Sequence, residues 1–176
     1  MPNCRLHVQD DLNLRCLHGC KSWEAERRKI TVTVVKGKDL AAKDRPGLLT
    51  EASSDPYYSI EFKDKPFVSE YIPKTLDSEW KLSPFELGTI TEAETAPLKI
   101  MIFDYDSFSS DDFMGVIRVP GCALYDLGPG HHTFWFLAGH TKEEPYAKED
   151  VSGYVLIHFV VQEVKSAALR QHTNDS

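Results

Sequence analysis

Between residues 30 and 161 the apolar residues of this chain fall into eight short runs, each the length of a strand and each ended by turn-forming residues. The runs cover 30–35, 57–62, 67–72, 80–87, 98–103, 113–119, 133–137 and 154–161. Most are rich in β-branched or aromatic side chains, which fit a pleated surface. None has the length and 3.6-residue period of an amphipathic helix. Pro46-Gly47, Asp55-Pro56, Pro73, Pro84, Pro97, Pro120-Gly121 and Gly128-Pro129-Gly130 supply the breaks. Eight strands at this spacing, with no helical crossovers, predict an all-β fold, an eight-stranded antiparallel β-sandwich.

The 176 residues suffice for one well-buried domain. The expected division is an N-terminal extension at 1–29, the sandwich at 30–164 and a polar tail at 165–176. The extension carries Cys4, His7, Cys16, His18 and Cys20, whose spacing matches no recurring zinc-finger pattern. The opening residues hold no signal-peptide core, so a cytoplasmic chain with reduced thiols is expected. No apolar run is long enough to span a bilayer. Lys+Arg number 20 against 27 Asp+Glu, a formal net charge of -7. That balance argues against a nucleic-acid partner, which needs a basic face. It argues equally against adhesion to anionic lipid by bulk charge.

Chemistry concentrates in the stretch from Asp104 to Asp112. Asp104 and Asp106 are two apart at the end of a predicted strand, so in extended chain their carboxylates point to the same side. Asp112 opens the next strand and can face back toward them. Three converging carboxylates repel one another unless a cation is present. A set of hard oxygen donors suits Ca²⁺, whereas zinc and copper favour nitrogen or sulfur. The same residues would also serve as a solvated turn. The loop is no EF-hand, lacking the central Gly and closing Glu. A second acidic stretch, Asp44 followed by Ser53-Ser54-Asp55-Pro56, lies between the first two strands, and loops of a sandwich gather at two ends.

Four segments then resemble a C2 domain: ITVTVVKGKDLAAKD, SSDPYYSIEF, KTLDSEW with Phe85, and LKIMIFDYDSFSSDDFMG. The resemblance runs from about residue 29 to 164 and implies Ca²⁺-dependent binding to anionic phospholipid membranes by a peripheral, cytoplasmic module. It implies Asp44, Asp55, Asp104, Asp106 and Asp112 as Ca²⁺ ligands, with Ser109 completing the shell and Asp111 out of register. It further implies that Phe108, Leu48 and Leu49 enter the membrane, although Phe108 could instead fold back and Leu48-Leu49 pack within their loop. The closing run 153–159 resembles the last strand of the type II topology. Two features depart from the family pattern: the lengthened stretch between Asp44 and Asp55, and Asp77-Ser78 where the family typically has Asn-Pro. The segment 62–71 mixes Lys63 and Lys65 with Asp64 and Glu70, a poor match to a basic lipid site. The alternative function is a Ca²⁺-independent domain that captures a protein partner. No nucleophile or Gly-rich phosphate loop accompanies the aspartates, so an enzyme is not expected.

Overall fold

The computed structural model describes residues 27–44 and 52–164. In β1 (Arg27–Lys38) every second residue turns inward, and Ile30, Val32 and Val34 are completely buried. The strand begins three residues before the expected domain boundary. The remaining strands are β2 (Pro56–Phe62), β3 (Lys65–Val68), β4 (Phe85–Thr91), β5 (Leu98–Asp104), β6 (Asp112–Val119), β7 (Gly130–Leu137) and β8 (Tyr154–Val164). Among the described residues they form two four-stranded sheets, β4-β1-β8-β7 and β3-β2-β5-β6, with antiparallel neighbours throughout. The eight-stranded β-sandwich is therefore the fold.

The core lies between the sheets. Ile30, Val32 and Val34 of β1 and Val155, Ile157, Phe159 and Val161 of β8 share it with Tyr58 and Ile60 of β2 and Ile100 and Ile102 of β5. Gly153 lets β8 enter this sheet. Its φ is +92°, and a Cβ there would stand 2.5 Å from the Asp39 carbonyl oxygen, so a side chain is excluded both by conformation and by space.

Several local expectations need correction. The run 67–72 leaves the ladder after Val68, because the Ser69 hydroxyl accepts the Tyr58 N–H at 2.9 Å and the chain turns away. The run 80–87 becomes a strand only at Phe85, after Pro84, which has no N–H to donate. Trp80 instead plugs the core edge, 4% exposed, with Nε1 donating to the Pro56 carbonyl at 3.1 Å. A six-residue helix, α1 (Gly121–Asp126), and a 3₁₀ turn (Tyr146–Lys148) are too short to give a periodic signal. Cys122, on α1, is disulfide-bonded, so the expectation of reduced thiols does not hold there. The extension before Arg27, the tail after Val164, and Leu48 and Leu49 lie outside the described residues.

Candidate functional site

Strand register brings the acidic segments to one end of the sandwich. Pro56 opens β2 opposite Asp104, the last residue of β5, and Asp104 pairs with Asp112, the first residue of β6. At the same end β1 finishes at Lys38 opposite Tyr154, and β7 finishes at Leu137 opposite the same residue. The connections 39–55, 105–111 and 138–153 therefore emerge together.

Hydrogen bonds clasp the first two. The Asp55 N–H donates to Asp104 Oδ1 at 2.5 Å, and the Tyr105 N–H donates to the Asp55 carbonyl at 3.1 Å. Asp55 Oδ1 in turn accepts the Lys74 N–H at 2.7 Å. Asp44 forms an isolated bridge with Ser53, its N–H donating to the Ser53 carbonyl at 3.0 Å. That bridge closes the lengthened loop at its base, so the extra residues do not carry Asp44 away from Asp55.

Asp104 is the centre of the arrangement and is only 2% exposed. Burial pushes its carboxyl up from 3.8 to about 6. The Asp55 N–H and the Ser54 hydroxyl oppose the shift, while the charges of Asp44 and Asp106 add to it. Asp112 is also raised, first by burial and then by Glu149 and Asp106, with Lys43 opposing. Asp111 holds the loop shut. Its Oδ1 accepts the Asp106 N–H at 2.9 Å, and its Oδ2 accepts the Tyr57 hydroxyl at 2.6 Å. Burial and this carboxylate together raise the Tyr57 phenol. Beyond the clasp, Ser109 is exposed and Phe108 projects fully into solvent, at 102% exposure, rather than folding back.

The loops rest on an aromatic floor. The β5–β6 register shifts between Ile102 and Phe103, where Met114 of β6 is the extra residue, and Phe103 meets Phe113 and Tyr146 with ring centroids 5.9 and 5.7 Å away. Tyr57 stacks on Phe103 at 5.5 Å.

Among the described residues no group of three His, Cys, Asp or Glu stands ready to grip a metal. The hydrogen bonds explain why: oxygens of Asp55, Asp104 and Asp111 are turned onto backbone N–H groups or a hydroxyl. The donor chemistry nevertheless fits a hard divalent cation. All the converging groups are oxygens, and the raised carboxyls of Asp104 and Asp112 are ones whose ionised form a cation would stabilise. Sequence reasoning missed three contributors. Glu149 is remote in sequence and reaches this end only through the β7–β8 connection. Lys43 and Ser54 lie within the quoted segments ITVTVVKGKDLAAKD and SSDPYYSIEF, but nothing in those segments gives either a role of its own.

The fold and this loop cluster define a β-sandwich module of the C2 type, and a family model described as "C2 domain" matches residues 28–136. The chain belongs to the C2 domain family. Among curated relatives, Arrestin domain-containing protein B of Dictyostelium discoideum is 30% identical over 135 residues, spanning 76% of this chain and 19% of that protein. Human Synaptotagmin-2 is 30% identical over 148 residues, spanning 79% of this chain and 32% of that protein. The chain thus covers only a minor part of the length of either relative. Among solved structures, a single C2 domain of plant Extended Synaptotagmin 1 gives a TM-score of 0.60 at 19% identity, covering 78% of this chain and 96% of that one. The calcium-bound pair of C2 domains from Extended-Synaptotagmin 2 gives 0.59 at 24% identity, covering 76% of this chain and 45% of that one. At these identities the structural likeness speaks for the fold. Among the described residues no helix is long and apolar enough to cross a membrane.

Proposed function

We propose that this end of the sandwich binds Ca²⁺ and, once loaded, docks the module on anionic phospholipid from the cytoplasmic side. The observation that carries the reading is the clasp between the two acidic loops, in which the Asp55 N–H reaches Asp104 and the buried Asp104 carboxyl is raised by burial and by neighbouring charge. Membership of the C2 family supports a lipid-binding role, and one of the similar structures is described as calcium bound. Asp44, Asp55, Asp104, Asp106 and Asp112, with Ser109, would hold the ion.

Ca²⁺ when bound supplies positive charge and an open coordination position for a lipid phosphate or carboxylate oxygen. Without it, the carboxylates hold this end negative and repel an anionic surface. Phe108, already exposed at the loop tip, is placed to enter the interface, a burial that contributes roughly 1.5–3 kcal/mol and assists docking without anchoring alone. Leu48 and Leu49 would act likewise from the first loop.

Calorimetry with CaCl₂ and sedimentation with phosphatidylserine liposomes test the proposal. Wild type should bind Ca²⁺ and pellet with the liposomes only when Ca²⁺ is present, and Asp104→Asn/Asp106→Asn should do neither. Absence of Ca²⁺ binding by the folded wild type at millimolar concentration would refute the metal role. One observation favours a second reading, Ca²⁺-independent capture of a protein partner: no described trio of acidic or imidazole groups is preassembled as a ligand set. Partner capture that persists in chelator and in the double variant would support it.

A further inference from the structure

The acidic end of the sandwich contains a cation of its own. Lys43, immediately before Asp44, turns its side chain inward, where it is only 8% exposed, and its Nζ lies 2.9 Å from Glu149 Oε2. Its backbone is pinned as well. The Lys43 N–H donates to Ser54 Oγ at 2.9 Å, and that hydroxyl, on a fully buried residue, donates to the Ala41 carbonyl at 3.0 Å. Lys43 thus enters the loop cluster from one side while Glu149 enters from the β7–β8 connection. Lys43 directly precedes Asp44, so the Lys43–Glu149 pair stands at the edge of the acidic cluster, joining the first loop to the β7–β8 connection. An exposed Lys–Glu pair contributes little, but an ammonium withdrawn from water exerts its field through a poorer dielectric.

Resting on the reading of this end as a Ca²⁺ site, we propose that Lys43 is a built-in counter-cation: it steadies the Asp44–Glu149 side of the cluster when no divalent ion is present and raises the Ca²⁺ concentration needed to fill the site. A fixed positive charge among the carboxylates does two things. It offsets part of their mutual repulsion in the Ca²⁺-free protein, and it repels an incoming ion of the same sign. Removing the charge while keeping the aliphatic stem releases both effects in opposite directions: the empty protein loses stability, and the ion binds more tightly. Loss of a packing residue has a different signature, weakening both the fold and the site it supports.

The test is calorimetric titration of the full chain, stripped of Ca²⁺, with CaCl₂, alongside thermal melting in the absence of Ca²⁺, for wild type, Lys43→Met and Lys43→Arg. Lys43→Met should lower the Kd for Ca²⁺ about tenfold and lower the melting temperature of the Ca²⁺-free protein, the scale expected for one unit charge acting across a partly screened site. Lys43→Arg, which keeps the charge, should stay close to wild type in both measurements. A Kd for Lys43→Met that is unchanged or higher, in a variant that melts cooperatively, overturns the role given to Lys43 while leaving the Ca²⁺ site standing. A wild type that shows no Ca²⁺ binding at all removes the underlying reading, and this proposal with it. Should Lys43→Met fail to fold, Lys43→Gln, which retains a donor for Glu149, carries the same comparison.

Discussion

Asp104→Asn isolates the energetic conflict at the centre of the site. The carboxyl of Asp104 is raised from 3.8 to about 6 in the folded protein, so folding favours its protonated form. The resulting stabilisation is fully present below the unfolded value near 4 and is lost as pH rises through about 6. About two pH units correspond to about 3 kcal/mol, or about 2 kcal/mol after allowance for solvent at the open side of the loops. Asparagine cannot ionise, yet its Oδ1 can still accept the Asp55 N–H. In Ca²⁺-free buffer at about pH 7.5, Asp104→Asn should therefore melt about 4–8 °C above wild type, the shift expected for about 2 kcal/mol in a domain of this size. The gap should close as pH falls from about 7 to about 4.5, because wild type gains by protonation what the variant already has. Added Ca²⁺ should raise the melting temperature of wild type and leave the variant where it was. Thermal denaturation by circular dichroism across this pH range is the assay. A variant less stable than wild type at neutral pH without Ca²⁺ would refute the argument, since it would mean that the native carboxylate is well satisfied rather than strained by burial and by its neighbours.

Two further outcomes follow from separate parts of the molecule. Phe108→Ala should leave the melting temperature unchanged, because the ring touches solvent, and should weaken Ca²⁺-dependent liposome binding by about 10-fold or more, in line with roughly 1.5–3 kcal/mol of lost apolar burial; equal binding of the two proteins would remove Phe108 from the interface. Gly153→Ala should cost more than about 2 kcal/mol in urea denaturation, since a positive φ and a contact of 2.5 Å with the Asp39 carbonyl both oppose a side chain; a loss below about 0.5 kcal/mol would show that the β8 entry relaxes freely.

Legibility differs between elements for identifiable reasons. The run 98–103 is readable as β5 to within one residue because Pro97 precedes it, its apolar stretch has the length of a strand and the aspartates that follow mark its end. The run 80–87 misleads because Trp80 is apolar enough to extend the pattern, yet it is buried as a single plug rather than as a member of a ladder. α1 is invisible since six residues give fewer than two helical turns. At the site, Asp55, Asp104, Asp106 and Asp112 can be read together because three neighbouring strand ends, of β2, β5 and β6, deliver them in order. Glu149 cannot, as its arrival depends on a connection between β7 and β8 whose course has no period. Asp111 is readable as a neighbour of the ligands, but its function as the acceptor that ties Asp106 to Tyr57 needs the fold.

The placement of β8 between β1 and β7 has a consequence for biogenesis. Among the described residues the first and last strands in chain order are direct neighbours, and β7 reaches its sheet only through β8. During synthesis the β3-β2-β5-β6 sheet can assemble while its partner still lacks the middle strand, leaving apolar faces of β1 and β7 unsheltered. Closure must wait until the ribosome has released residues 154–164, so this long-range pairing should come late and slowly. A stop codon just ahead of Tyr154 would not trim an edge; it would leave a sandwich with a gap through one wall and an Ile- and Leu-rich interior open to aggregation.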